Sequence, residues 1–147
     1  MNIKSPKQKG AKWERDAVVI LQDAIHNSAW KKIPGSGAIG TIVKESLLTG
    51  DISGGVDYFP KKFKGEAKIG YGGKTQLTLK KEWLDKIVEE AYNNYSVPFL
   101  IARFSGSRSG VQEFVVLDID TFAMLINIYT DLQRKLNEED DTKIQPI

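Results

Sequence analysis

The heptapeptide Phe63-Lys64-Gly65-Glu66-Ala67-Lys68-Ile69 alternates without a break. Phe63, Gly65, Ala67 and Ile69 fall on one face of a β-strand, and Lys64, Glu66 and Lys68 on the other. Glu66 and Lys68 therefore point the same way, and the chain needs a sheet to hold them there. A preceding strand is expected from Val56 to Phe59, joined to this one by a turn at Pro60-Lys61-Lys62.

Helical signals lie on both sides. Ser5 reads as an N-cap, Pro6 as the first helical residue and Gln8 as the partner in a capping box, opening a helix that runs to about Asn27. Its apolar stripe includes Val18, Leu21 and Ile25, and one turn back from Val18 lies Glu14, a carboxylate on the core-facing edge. Trp30–Ile33 is expected as a short strand before a glycine-rich loop, Pro34–Gly40, while Thr41–Leu48 favours neither helix nor loop. Leu79, Trp83, Ile87 and Ala91 predict a helix from Thr78 to about Asn93. Strands over Pro98–Phe104 and Gln112–Leu117 follow, then a last helix from near Asp120. That order describes an α/β fold, a small mixed sheet flanked by helices. The 147 residues fit one domain, expected over 1–137, with an acidic, frayed tail at 138–147. Phe122, Leu125, Ile126 and Tyr129 of the last helix are assigned to core by default and to a subunit interface as the alternative.

Composition narrows the chemistry. With no cysteine and one histidine, His26, disulfide frameworks, thiolate zinc sites, cysteine nucleophiles and histidine-pair metal sites are excluded, so any catalytic metal is held mainly by oxygen. No apolar run approaches the ~20 residues that span a bilayer, and the first residues lack a secretory signal's apolar segment, so a cytoplasmic protein away from membranes is expected. The net charge of +2 hides an asymmetry: residues 1–81 carry 15 Lys/Arg against 7 Asp/Glu, residues 82–147 carry 6 against 12. The basic groups at Lys9, Lys12, Lys61, Lys62 and Lys74 suit a polyanion backbone, with nucleic acid the leading candidate, although such lysines also simply solvate a surface.

Gly35-Ser36-Gly37-Ala38-Ile39-Gly40 matches G-x-G-x-x-G, but the element after it is too short for a dinucleotide site and no nucleotide cofactor is expected. Ser36 is either a hydroxyl donor to a phosphate or an ordinary turn serine. The stronger signal is Asp51 followed by Glu66-Ala67-Lys68. Hard divalent cations need converging carboxylates, so Asp51 and Glu66 are candidates to hold Mg²⁺ or Mn²⁺. Lys68, on the same face, is placed to orient or activate water and to stabilise charge on a phosphate. A Glu-x-Lys on an exposed strand is also a common neutral pair. If Lys61-Lys62 makes a tight hairpin, position 57 rather than 51 falls opposite 66, and Asp57 becomes the alternative ligand; a bulge at Ser53-Gly54-Gly55 would bring either aspartate to the metal.

Five short motifs, in order from Lys9 to Phe104, resemble the archaeal-type Holliday junction resolvases and their phage relatives in the PD-(D/E)xK nuclease superfamily. They are Lys9-Gly10-Ala11-Lys12-Trp13-Glu14-Arg15, Ile33-Pro34-Gly35-Ser36-Gly37-Ala38, Gly50-Asp51-Ile52, Glu66-Ala67-Lys68, and Trp83–Ala91 with Pro98-Phe99-Leu100-Ile101. The spacing from Ser36 to Asp51 is longer than in compact archaeal members. The resemblance implies a PD-(D/E)xK fold and a homodimer that binds four-way DNA junctions and makes paired, metal-dependent nicks leaving 5′-phosphates. It implies Glu14, Asp51, Glu66 and Lys68 as catalytic residues, with Glu14 reaching the metal through water. Lys9, Lys12, Ser36, Lys61, Lys62 and Lys74 are expected at the DNA. A general or restriction/repair-type nuclease of the same fold, and a non-catalytic DNA-binding module, stand as alternatives.

Overall fold

A computed structural model describes residues 6–34, 51–72, 75–106 and 110–144. The elements run α1 (Pro6–Ala24), β1 (Ser28–Lys32), β2 (Ile52–Val56), β3 (Phe63–Ile69), α2 (Lys81–Asn93), β4 (Val97–Arg103), β5 (Glu113–Val116) and α3 (Ile119–Ile144). The strands form one sheet in chain order, β1-β2-β3-β4-β5. β3 and β4 pair in parallel, with α2 as the crossover, and every other pair is antiparallel. The sheet is mixed and flanked by helices, as its sequence predicts.

α1 opens on Pro6, whose missing N–H costs nothing at a helix start. It buries Trp13, Ala17 and Leu21, one residue every four, so the stripe is rotated from the one expected and Val18 and Ile25 are half-buried. The Trp13 indole N–H donates to the Ile101 carbonyl at 3.3 Å, and the Arg103 guanidinium lies 4.3 Å from the Trp13 ring centre. Arg103 also binds Glu113 at 2.7 Å and Asp16 at 3.4 Å. Lys12, hydrogen-bonded to Asp16 at 2.7 Å, holds the Asp16 carboxyl below the usual carboxylate range against the effect of burial.

Beneath α1 the sheet carries an aromatic cluster. Trp30 meets Phe99 edge-on at 5.8 Å between ring centres and Phe63 at 5.6 Å. Two glycines make room. A Cβ on Gly54 would run into the Trp30 ring, and one on Gly65 into the Phe99 ring. This explains where β2 differs from expectation. The strand is Ile52–Val56, through the Ser-Gly-Gly run, and not Val56–Phe59, because Gly54 pairs with both Trp30 and Phe63 and accepts the indole above it. The connection to β3 is consequently long, and Tyr58 within it takes a left-handed φ of 67°.

α2 covers the other face, burying Ile87 and Ala91. It starts at Lys81, three residues later than expected, since the Thr78 N–H is bonded to the Tyr71 carbonyl and not to a helical turn. It ends in a Schellman arrangement: the Tyr95 N–H donates to Tyr92 O and the Ser96 N–H to Ala91 O.

The chain divides into two compact units, Met1–Val116 and Leu117–Ile147. In the second, Asp118 caps α3 by accepting from the Thr121 N–H at 3.2 Å and from its hydroxyl. Phe122, Ile126 and Tyr129, given to core by default, are more than two-fifths exposed, and Leu125 is half-buried. α3 continues through Glu138–Asp141, all exposed. No helix among the described residues is long and apolar enough to cross a membrane.

Candidate active site

The two carboxylates of interest are brought together by the β2–β3 register. Ile52 pairs with Gly65, so the residue before β2, Asp51, lies opposite Glu66. The backbone fastens this placement on both sides: the Asp51 N–H donates to Gly65 O at 2.9 Å, and the Ala67 N–H donates to Asp51 Oδ2 at 3.0 Å. Asp57 is at the other end of β2, exposed, with its N–H bonded to Asn27 O. The tight-hairpin count that put Asp57 beside Glu66 fails because eight residues, 55–62, separate the last paired positions, Gly54 and Phe63.

Glu66 and Lys68 are neighbours on the same face of β3, as the alternation requires. Lys68 Nζ is 3.1 Å from Glu66 Oε1 and sits 4.6 Å from the centre of the Trp83 ring on α2. Tyr71 packs edge-on against Trp83 at 4.5 Å. The ammonium thus lies between the Trp83 ring and the Glu66 carboxylate, largely out of bulk water.

The Glu66 carboxyl is pushed above the usual range, first by burial and then by the Asp51 carboxylate, against the pull of Lys86 and Lys68. Its Oε2 is buried and makes no hydrogen bond. An orphaned carboxylate oxygen beside a second carboxylate is a pair of hard oxygen donors short of positive charge, and it fits a divalent cation such as Mg²⁺ or Mn²⁺. Among the described residues no group of three His, Cys, Asp or Glu converges, and this pair is what they offer to such a site.

The pair opens into a cleft of about 410 Å³ lined by Lys9, Glu14, Asp51, Glu66, Lys68 and Ser105, among others. Glu14 is in the cleft but engaged, 3.0 Å from Lys32 Nζ. Lys9 stands at its mouth on the exposed first turns of α1, whereas Lys12 is paired with Asp16. Lys61 and Lys62 line a different groove. Ser36 and Lys74, with the whole glycine-rich loop, lie outside the described residues.

Sequence reasoning missed four contributors. Lys32 neutralises Glu14, Lys86 offsets the charge on Glu66, and Tyr71 and Ser105 line the cleft. Trp83 was legible only as a core residue, since helical spacing cannot tell a tryptophan under a strand lysine from one in an apolar core. The lysines had no local signature, because their partners are distant in sequence.

A family model described as "Phage putative PDDEXK endonuclease" matches residues 5–145. The chain belongs to this family. As a phage PD-(D/E)xK endonuclease it is a nuclease, of a kind that generally works with divalent metal ions. The solved structure of Hjc from Archaeoglobus fulgidus, a Holliday junction resolvase from an archaeal hyperthermophile, is 17% identical, with 79% of this chain and 88% of that chain covered and a TM-score of 0.47. No curated protein matches the nuclease.

Proposed function

We propose that this nuclease is a divalent-metal-dependent endonuclease that resolves four-way DNA junctions by paired phosphodiester nicks, acting as a homodimer. The observation that carries the catalytic part is the Asp51–Glu66 pair with its orphaned buried oxygen and Lys68 alongside. Asp51 and Glu66 would hold Mg²⁺ or Mn²⁺, which would supply positive charge to the scissile phosphate and acidity to water. Lys68, held between Glu66 and the Trp83 ring, orients the attacking water and stabilises negative charge as it builds on the phosphate oxygens. Lys9, in the lining of the cleft, would meet the DNA backbone, and Glu14, balanced by Lys32 in the same cleft, would bind the metal through water.

The junction preference is supported by the order of the five motifs and by a basic half suited to backbone contacts without base reading. Its test is cleavage of an end-labelled four-way junction in Mg²⁺ beside a duplex of the same sequence. The reading predicts symmetrical paired nicks in the junction and slower cutting of the duplex. Equal rates on both would make the protein a general PD-(D/E)xK nuclease.

A further inference from the structure

Away from the carboxylates, at the other end of β2, a second groove of about 840 Å³ opens in the same unit. Its described lining carries Lys31, Lys61, Lys62 and Lys64 against one carboxylate, Asp57. At Gly55 a side chain would meet nothing within 4 Å, so the strand backbone there is open to a ligand.

The turns that frame this groove hold two tyrosines where tyrosine does not belong. Tyr58 is the third residue of a turn closed by the Phe59 N–H on Val56 O at 3.0 Å, with φ 67°, a place for glycine or asparagine. Tyr95 takes the residue position just past the end of α2 in the Schellman arrangement, with φ 53°, where glycine is usual. The left-handed backbone is strained for any bulky side chain. Asn27, on a third turn at this end with φ 55°, is the ordinary kind of occupant. Burial does not repay the strain, for Tyr58 is fully exposed and Tyr95 is 85% exposed. The Val97 N–H, two residues past Tyr95, donates to Lys62 O at 2.7 Å, at the end of the connection that holds Tyr58.

Strain retained without packing in return points to a ligand outside the chain. Lys64 is buried beside Glu90, but Lys31, Lys61 and Lys62 are exposed, and exposed aromatic rings near these ammonium groups combine a stacking surface for bases with charge for phosphates, which favours a polyanion over a protein. We propose that this end of the sheet is a second nucleic-acid site, which takes a strand with unpaired bases: Tyr58 and Tyr95 stack on the bases while Lys31, Lys61 and Lys62 neutralise phosphates. The site rests on the nuclease reading for its polymer, and on neither the junction preference nor the metal pair.

The test is binding by the full-length protein, in EDTA so that nothing is cut, of a fluorescein-labelled short oligothymidylate and of a duplex, followed by anisotropy. Tyr58→Gly and Tyr95→Gly are each expected to weaken oligothymidylate binding about tenfold and duplex binding much less, while Tyr58→Phe and Tyr95→Phe stay within about twofold. Because glycine relieves the left-handed strain, both glycine variants are expected to melt no lower than wild type. Unchanged oligothymidylate affinity in the folded glycine variants would overturn the proposal, and so would a fall in melting temperature alongside the fall in affinity, which would make the rings structural. A wild type that binds no nucleic acid fails the nuclease reading as well; binding that ignores the tyrosines fails the second site alone.

Discussion

Burial and the Asp51 carboxylate together disfavour the ionised form of Glu66, and Lys68 and Lys86 only partly offset them. The sign has a consequence for stability. A glutamate whose folded pKa is raised contributes stability at low pH, below its unfolded value, and loses it as pH rises through the folded one. Once pH has risen past the unfolded value, burying this carboxyl beside Asp51 is therefore a cost to the metal-free protein. Glu66→Gln is expected to raise the melting temperature in EDTA by a few degrees and to abolish cleavage; added Mg²⁺ should raise the melting temperature of wild type and not of the variant, as read by differential scanning calorimetry. Lys68→Ala, which removes charge from the reacting phosphate and leaves the basic surface intact, is expected to lower kcat about a hundredfold with little change in KM in steady-state cleavage assays. At this scale the sequence identified Glu66 and Lys68 through strict alternation. It left Asp51 and Asp57 competing, because choosing between them needs the length of the β2–β3 connection, and that length is set by a tryptophan on a third strand.

β2 is the element that sequence propensity reads least well. Ser53-Gly54-Gly55 looks like a loop, and it becomes a strand because Gly54 pairs with Trp30 on β1 and Phe63 on β3 and the Trp30 ring takes the space a side chain would need. The same tertiary cause holds Gly65 under Phe99. Gly54→Ala is accordingly expected to cost about 1–3 kcal/mol through overpacking, measured by urea denaturation; an unchanged midpoint would mean that Trp30 does not set β2. The helices were legible to within a few residues because their apolar spacing is local. Their offsets have local causes too: α1 turned toward Trp13, which anchors on Ile101 O, and α2 waited until the Thr78 N–H had been satisfied by Tyr71.

Across the whole molecule the first 81 residues carry 15 Lys/Arg against 7 Asp/Glu and the remainder 6 against 12, and the proposed phosphate contacts all fall in the first 81. Lys61→Ala with Lys62→Ala is expected to weaken nucleic-acid binding and to flatten the slope of log affinity against log salt by about 2, from titrations at several salt concentrations. The proposed homodimer predicts sedimentation at about twice the 16.4 kDa chain mass. The side chains of residues 138–141 are all exposed, and ending the chain after Asn137 is expected to leave cleavage within about twofold of wild type. Asp51 and Glu66, not Asp57, are proposed as the metal-binding pair of the active site. The most direct measurement is Mg²⁺-dependent junction cleavage by wild type, Asp51→Asn and Asp57→Asn side by side at equal, confirmed binding. The account predicts that cleavage is lost in Asp51→Asn and retained in Asp57→Asn; loss in Asp57→Asn with retention in Asp51→Asn would contradict it.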